Sequence, residues 1–188
     1  MSTAHTVAVL IGSLRKDAFS RKAAMALAKL APKELKLEIV PIGELALYND
    51  DIEANPPASW LAFRQQTKAA DAFLFVTPEY NRSVPGGLKN AIDVGSRPYG
   101  HSVFSGKPGA VMSITPGGLG AFGANHHLRQ MLVFLDVFTM QQPEAYIAKA
   151  AGLFDDSGAL TDPATTEVFQ KFIQAFAVWI GKTRAKSQ

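Results

Sequence analysis

A polar and aromatic run, Pro-Glu-Tyr-Asn at residues 78–81, follows directly after an apolar segment at 72–76. The apolar segment predicts a fully buried strand, which ends at the proline because proline cannot donate to a sheet ladder. Open α/β sheets bind ligands beyond the carboxyl ends of their strands. These four residues are therefore predicted to hold a ligand, with the rest of the chain as their frame.

A second candidate binding loop lies near the amino terminus. An apolar run at 7–11 predicts the first strand, which breaks at Gly12-Ser13 before a polar loop at 14–21. Apolar residues at helical spacing follow, with Ser20 as the predicted N-cap. The free N–H groups and the dipole at a helix start favour an anion, to which Arg15 can add a bidentate contact. An ordinary strand–helix connection with a serine cap explains the same residues, so both interpretations stand.

A third loop of unusual composition, Thr-Pro-Gly-Gly-Leu-Gly at 115–120, follows a predicted strand at 110–114. Its glycines would let the backbone approach a ligand closely, because no Cβ stands in the way. A flexible loop is the alternative, and glycine content alone does not separate the two. The position favours binding, since this is the third such loop at the carboxyl end of a strand.

Strands and helices alternate along the chain, which predicts a parallel sheet covered by helices on both faces. Residues 37–40 predict a short second strand, and residues 139–147 predict a last strand interrupted by a proline. For five strands the order 2-1-3-4-5 is expected, with the topological switch between strands one and three. That order brings the loops at 12–20 and 77–82 together as two halves of one site. No repeat or linker divides residues 1–188, so a single domain is predicted.

Residues 126–138 predict a helix that is nearly apolar on every side beyond Gln130. One face would pack on the sheet, and a partner subunit is the simplest cover for the other. We therefore expect a homodimer or homotetramer with this helix at the interface. His126 and His127 would point about 100° apart on such a helix, which excludes a shared metal ion.

Composition excludes several classes of function. The chain has no cysteine, so thiol chemistry is excluded and any redox work needs a bound cofactor. The net charge of +3 is mild and the basic residues are dispersed, so no nucleic-acid partner is expected. No apolar run approaches the ~20 residues that span a bilayer, and no secretory signal is visible. We therefore expect a cytoplasmic protein without membrane insertion, and we predict no metal site.

Three stretches of the sequence together resemble the NADPH-dependent FMN reductase family. They are Gly-Ser-Leu-Arg at 12–15, Pro-Glu-Tyr-Asn at 78–81, and Ser-Val-Pro-Gly-Gly-Leu-Lys-Asn-Ala-Ile-Asp at 83–93. The stretch from 78 to 93 is highly specific, and within the family the likeness is to the bacterial quinone and chromate reductases. The resemblance implies a flavodoxin-like α/β fold, bound FMN, and a dimer or a dimer of dimers.

The resemblance also implies a role for each of the three loops. In this family the loop matching 13–20 holds the FMN phosphate, the run matching 78–81 lines the isoalloxazine ring, and the loop matching 113–120 approaches the ring from another side. The residues so implied to bind the cofactor are Ser13, Arg15, Lys16, Ala18, Phe19, Ser20, Pro78, Glu79, Tyr80, Asn81, Ser113, Gly117 and Gly118.

Four positions depart from the usual family pattern. Glycine, serine and asparagine are usual where Asp17, Ala18 and Ser20 stand, so one hydroxyl donor is missing and a carboxylate is added near the phosphate. These changes bear on FMN affinity more than on cofactor identity. Arg82 replaces a frequent tyrosine, which alters the mouth of the expected site.

The activity implied by the resemblance is that of an FMN-dependent NAD(P)H oxidoreductase. Hydride would pass from the nicotinamide to the flavin, and then to a quinone, chromate or a similar small-molecule acceptor. The flavin carries the chemistry, so no catalytic side chain is expected. This agrees with the lack of a nucleophile triad or a carboxylate pair in the sequence. NADPH and NADH both stand as donors, because the sequence has no dinucleotide fingerprint.

Backbone N–H groups near residues 79–81 are expected to stabilise negative charge on the reduced ring, while Tyr80 either stacks on the ring or walls the pocket. One alternative is a flavodoxin-type electron carrier that does not itself oxidise NAD(P)H. The sequence pI of about 9.2 disfavours it, because such carriers generally present an acidic docking surface. A flavin-free binding module with the same fold is the other alternative.

Overall fold

The loops of interest are carried by a parallel sheet with helices on both faces. A computed structural model describes residues 4–184 of the chain. The strands are β1 (His5–Ile11), β2 (Leu35–Ile39), β3 (Ala72–Thr77), β4 (Pro108–Ile114), β5 (Phe138–Thr139) and β6 (Ala145–Ile147). The helices are α1 (Phe19–Leu30), α2 (Ala58–Lys68), α3 (Gly86–Gly95), α4 (Phe122–Phe134) and α5 (Pro163–Arg184), with short 3-10 turns at Asp50–Ile52 and Ala150–Gly152.

The sheet has the predicted order, β2-β1-β3-β4-β5, and its strands pair in parallel. β5 and β6 pair with opposite ends of β4, so two short strands share the fifth position. The register aligns Ile11 with Val76 and Thr77 with Ser113. The segments that follow β1, β3 and β4 therefore leave the sheet at the same edge, as the sequence predicts.

Two apolar cores form on opposite faces of the sheet. On one face α1 and α5 bury side chains such as Leu27 and Phe172. On the other face α2, α3 and α4 bury Trp60, Leu88 and Leu128. β3 is buried along its whole length, so its end, where the Pro-Glu-Tyr-Asn run begins, is held from both sides.

The prediction of a helix at 126–138 is wrong in its bounds, because α4 occupies Phe122–Phe134. The chain leaves the helix at Asp136, which has a positive φ of 56°, and then enters β5. Part of the apolar character does face outward, since Val133 and Phe134 are 76% and 79% exposed. Among residues 4–184, no helix combines the length and apolarity needed to cross a membrane.

Strands also begin earlier than their apolar runs indicate. β1 starts at His5 and β4 at Pro108, each two residues before the predicted start. Both added segments pair with a neighbouring strand, His5 with Leu35 and Pro108 with Phe138. Backbone pairing therefore continues past the apolar positions, which are the only part of a strand that hydrophobicity can mark.

Lys107 lies beside the end of α2, where its ammonium group donates to the Thr67 and Lys68 carbonyl oxygens at 3.2 and 2.8 Å. Burial lowers the pKa of Lys107 from its ordinary value of 10.5 to about 8. At pH values between these two pKa values, Lys107 is protonated in the unfolded chain and mostly neutral in the folded one. The unfolded chain therefore binds more protons, and the free energy of unfolding rises with pH. We expect the wild type to gain stability from about pH 8 towards pH 10.5 relative to Lys107→Met, measured by urea denaturation.

The control for this prediction is Lys171→Met, at an exposed lysine of α5. This variant should show the same dependence of stability on pH as the wild type, because the Lys171 side chain is largely exposed to water in the folded protein. A Lys107→Met protein that also follows the wild-type dependence would contradict the assignment of the lowered pKa.

Candidate functional site at the strand tips

The ends of β1 and β3 touch at the edge of the sheet. The Gly12 N–H donates to the Val76 carbonyl at 2.9 Å, and the Ser13 and Tyr80 hydroxyl oxygens lie 3.4 Å apart. Ser13 is 4% exposed, whereas Tyr80 is 46% exposed. The two loops that the sequence predicts as halves of one site therefore share one surface.

Residues 80–83 form a tight turn closed by two hydrogen bonds. The Tyr80 N–H donates to the Ser83 carbonyl at 2.9 Å, and the Ser83 N–H donates back at 3.0 Å. The central residues, Asn81 and Arg82, have positive φ angles of 51° and 65°, the pattern of a type I′ turn. Asparagine tolerates this conformation better than arginine does, so backbone strain is held at Arg82, next to the predicted ring-binding residues.

The start of α1 carries a buried hydroxyl group without a partner. The N-cap is Ala18 and not Ser20, because the Ala18 carbonyl already accepts from the Arg21 and Lys22 N–H groups. Ser20 lies inside the first turn, and its Oγ is buried with no hydrogen-bond partner among the described residues. Leaving such a group unpaired costs about 1–3 kcal/mol. With no side-chain cap on the helix either, this turn has donors to offer to an anion such as phosphate.

Exposed positive charge surrounds the same turn. Arg15 and Lys16 are exposed in the loop before α1, and Arg21 and Lys22 follow at the start of the helix. Asp17 is the single carboxylate in this stretch of sequence. The loop keeps a net positive charge despite Asp17, so its electrostatic field also favours an anion.

Phe19 and Ser113, which are both predicted to contact a cofactor, have side chains that contact other parts of the protein. Phe19 stacks on Phe154 with ring centroids 6.4 Å apart. Ser113 donates from Oγ to the Gly120 carbonyl at 2.7 Å and accepts from the Asn125 amide at 3.0 Å. Ser113 therefore ties the end of β4 to the glycine loop and to α4, and its hydroxyl group is engaged within the protein.

The glycine loop itself is open at its tip. Gly117 and Gly118 are both exposed, and a Cβ at Gly118 would meet no atom within 4 Å. The loop is anchored at its base, where the Lys149 N–H donates to the Gly117 carbonyl at 3.0 Å. Its backbone can therefore face a ligand without obstruction by side chains.

Glu79 turns its carboxylate towards the start of α4. Its Oε2 accepts from the Ala124 N–H at 3.1 Å, and its side chain is 13% exposed. The helix has no side-chain cap of its own, and its N-cap residue, Ala121, is left-handed with a φ of 58°. The carboxylate thus supplies the cap, which explains why α4 begins four residues before its predicted start.

Gly123 lets this contact form. A Cβ at Gly123 would lie 2.7 Å from the Arg82 carbonyl oxygen and 2.9 Å from Glu79 Oε2. The first turn of α4 and the 80–83 turn are therefore packed backbone to backbone. This contact, with the Glu79 cap, fixes the position of the 80–83 turn.

Replacing Glu79 with alanine is expected to lower the free energy of unfolding by about 1–2 kcal/mol, because it removes the cap of α4. Glu79→Gln keeps an oxygen for the Ala124 N–H. It loses the favourable charge at the helix start, about 0.3–1 kcal/mol, and the ion pair with the exposed Arg82 side chain, which contributes little. Urea denaturation of the apoproteins measures both changes. Equal losses in the two variants would contradict the capping role.

His126 and His127 point to different sides of α4, as their adjacent positions predict. His126 Nε2 lies 3.0 Å from the Tyr146 hydroxyl, and His127 Nδ1 lies 3.0 Å from Ser83 Oγ. Burial, together with its hydrogen bond to Glu144, raises the pKa of Tyr146 to about 12, so this phenol stays protonated at neutral pH. Within residues 4–184, no group of three or more acidic or histidine side chains could hold a metal ion.

A comparison with protein families identifies the chain. The model of the NADPH-dependent FMN reductase family matches residues 5–152, a span that contains all three strand-tip loops. The chain belongs to this family. Membership confirms the resemblance predicted from the motifs, together with FMN as the cofactor and an NAD(P)H-dependent oxidoreductase as the class of enzyme.

Known proteins of similar length match this FMN reductase family member almost from end to end. A quinone reductase from Pseudomonas putida is 60% identical over 186 residues, which cover 98% of this chain and 100% of that protein. A 2-hydroxy-1,4-benzoquinone reductase from Burkholderia sp. is 44% identical, covering 95% of this chain and 97% of its own. The solved structure of FerB, a flavoenzyme NAD(P)H:(acceptor) oxidoreductase from Paracoccus denitrificans, matches with a TM-score of 0.90 at 43% identity. It covers 96% of this chain and 99% of its own, and it confirms the flavodoxin-like fold.

Two residues at the site of this family member are missing from the predicted set. Gly12 allows the strand tips to touch, since a Cβ there would lie 2.8 Å from Thr77 Oγ1 and 2.9 Å from Pro78 Cδ. The position of Gly12 between a predicted strand and a polar loop could have identified it as a site residue from the sequence. Leu14 is 55% exposed and reaches towards Gly87 in α3. No spacing in the sequence points to that apolar rim.

Proposed function

We propose that this chain is an FMN-dependent NAD(P)H:quinone oxidoreductase whose cofactor lies across the tips of β1, β3 and β4. The observation that carries the proposal is the buried Ser20 hydroxyl, which has no partner among the described residues and lies at the uncapped start of α1. Relatives at 60% and 44% identity that are named for quinone reduction support a quinone as the acceptor.

The phosphate of FMN would lie against the loop at 13–20. Ser20 Oγ and the N–H groups of the first turn of α1 would donate to it, and Ser13 would add a second hydroxyl. Arg15 and Lys16 would supply positive charge from the exposed side of the loop. Ala18 would take part through its backbone, because its side chain is buried, and the partly buried Phe19 ring packs on Phe154.

When bound, FMN supplies the redox chemistry, taking hydride equivalents from NAD(P)H and passing them to the acceptor. The chain would contribute fixed hydrogen-bond donors to the ring. The Tyr80 N–H is used within its own turn, so the donors proposed for the ring are the N–H groups of Glu79 and Asn81. In the described part of the chain, neither of these N–H groups donates to another protein atom. Pro78, the Tyr80 phenol and the backbone of Gly117 and Gly118 would complete the walls.

We infer a homodimer or homotetramer in which one face of α4 meets a partner subunit. That face carries His127 and Phe134, and a groove of about 390 Å³ beside it runs towards α3. Exposed apolar surface of this kind marks protein contacts. Sedimentation velocity tests the inference, and a monomer at micromolar concentration would contradict it. We also place the protein in the cytoplasm, which cell fractionation tests.

An anaerobic absorption experiment tests the proposed activity. Protein reconstituted with FMN should lose its flavin absorbance when NADPH or NADH is added without any partner protein, and benzoquinone should restore it. A flavodoxin-type carrier would hold FMN but would not be bleached by nicotinamide alone. A flavin-free module would not take up FMN. Chromate, the other acceptor suggested by the sequence, can replace benzoquinone in the same assay.

A further inference from the structure

A second cavity lies at the opposite end of β4 from the proposed FMN site. Its volume is about 570 Å³, within the range of about 300–1,000 Å³ typical of small-molecule sites. β5 pairs with the first residues of β4, starting at Pro108, whereas the glycine loop follows the last residue of β4, Ile114. The two sites are therefore about 20 Å apart, at about 3.3 Å per strand residue. The cavity wall includes Arg129, Val133, Phe138, Thr139, Gln141 and Trp179.

Arg129, at the wall of this cavity, is a cation with no acidic partner among residues 4–184. Its Nε donates to the Asn125 amide oxygen at 2.9 Å, and its Nη1 donates to the Met140 carbonyl at 3.0 Å. Its Nη2 is buried with no hydrogen-bond partner among the described residues. No carboxylate of residues 4–184 forms an ion pair with it. A buried N–H of a charged group that stays unpaired is costly, so the site favours an incoming anion.

Val133, Phe138 and Trp179 make much of the remaining wall apolar and partly aromatic, while Thr139 and Gln141 are polar members of it. Val133 is 76% exposed and Phe138 is 38% exposed, while the Trp179 indole is held in place by its hydrogen bond to the Phe138 carbonyl. Such a surface takes the hydrocarbon body of a ligand and offers little to a strongly hydrated ion. Inorganic anions therefore fit the charge of Arg129 but not the surface around it.

We propose that this cavity binds a small organic anion with an aromatic body and one carboxylate. The ring would lie on Val133, Phe138 and Trp179, and the carboxylate would accept from Arg129. Nη2 itself is buried, so binding requires the Arg129 side chain or a neighbouring side chain to move and expose it. The inference goes beyond the proposed oxidoreductase function, since the cavity shares no residue with the strand-tip loops.

Calorimetric titration of the FMN-loaded protein with 2-naphthoate tests the proposal. The matched ligand is 2-naphthalenemethanol, which keeps the ring and lacks the charge, and it should bind at least ten-fold more weakly. Trp179 reports the location, because the chain has only two tryptophans and the other, Trp60, is fully buried. Naphthoate should quench the fluorescence of the wild type, and Trp179→Phe should remove that quenching. Equal affinity for the two ligands, or quenching that persists in Trp179→Phe, would overturn the proposal.

Charge reversal at Val133 provides a test that spares the fold. Arg129 also bonds Asn125 and Met140, so its replacement would disturb packing, whereas Val133 is mostly exposed. Val133→Glu should weaken naphthoate binding at least ten-fold, and Val133→Lys, of similar size, should not. Neither variant should change FMN affinity. If both variants bind naphthoate equally, the cavity is not the proposed site. The same conclusion follows if naphthoate fails to bind the wild type and Val133→Glu instead dissociates an oligomer.

Discussion

Replacing Ser20 with alanine is expected to weaken FMN binding by about ten- to hundred-fold, since a hydrogen bond to a charged group contributes about 1.5–3 kcal/mol. The same change should leave the apoprotein at least as stable as the wild type. Among residues 4–184 the Ser20 hydroxyl is buried and has no hydrogen-bond partner, so its removal takes away a desolvation cost and no hydrogen bond within that part of the chain. Alanine also has the higher helix propensity. Lower affinity without lower stability identifies a residue kept for its ligand.

The comparison variant is Ser113→Ala, which changes another buried serine. Ser113 Oγ bonds both the Gly120 carbonyl and the Asn125 amide, so its loss should lower the free energy of unfolding by about 1–3 kcal/mol. FMN affinity follows from titration of the apoproteins by flavin fluorescence, and stability follows from urea denaturation. If Ser20→Ala binds FMN as tightly as the wild type, the phosphate is not held at the start of α1.

The central strands and their order follow from local composition. The apolar runs in β1, β3 and β4 are long enough to be buried on both faces, and helical spacing between them leaves parallel pairing as the simplest arrangement. The edge of the sheet is less regular. Pro143 has no N–H to donate, so the predicted last strand divides into β5 and β6. A strand that is buried on both faces can be recognised from its own apolar sequence. Pairing at the edge of the sheet depends instead on the neighbouring strand, which is distant in sequence.

The start of α4 could not be predicted because its cap is distant in sequence. Residues 121–125, Ala-Phe-Gly-Ala-Asn, contain no capping residue at the observed start. The acceptor is Glu79, 45 residues earlier in the chain than Ala124. The prediction for Ser20 is wrong for the opposite reason. Local preference makes Ser20 an N-cap, whereas the fold places it inside the helix. Both errors lie at the site, where contacts between loops override local preference.

Which loops meet was therefore easier to predict than what each side chain does there. The strand order alone places residues 12–20 beside 77–82, and the contact between Ser13 and Tyr80 bears this out. The roles of Glu79 and Ser113 as supports within the protein depend on distances that no motif encodes. A family motif marks residues that matter, and the structure separates the side chains exposed at the strand tips from those that hold other groups in place.

Gly12→Ala is expected to disrupt the site more than the loss of any one cofactor contact, because it acts on both halves together. The added Cβ would lie 2.8 Å from Thr77 Oγ1, 2.9 Å from the ring of Pro78 and 3.3 Å from the Thr77 Cα. Backbone and a proline ring cannot rotate away, so the tips of β1 and β3 must separate. Overpacking of this kind costs about 1–3 kcal/mol of folding free energy. FMN affinity should fall more than in Ser20→Ala, since both the phosphate loop and the ring-binding loop move.

Gly86→Ala isolates this steric effect from the general consequences of replacing glycine with alanine. A Cβ at Gly86 would meet no atom within 4 Å, and the residue begins α3, where alanine is the better helix former. This control should keep wild-type FMN affinity and equal or exceed wild-type stability. A Gly12→Ala protein that binds FMN like the Gly86→Ala control would mean that the strand tips can separate without loss. The contact between Ser13 and Tyr80 would then be incidental, and a cofactor site spanning both tips would have to be abandoned.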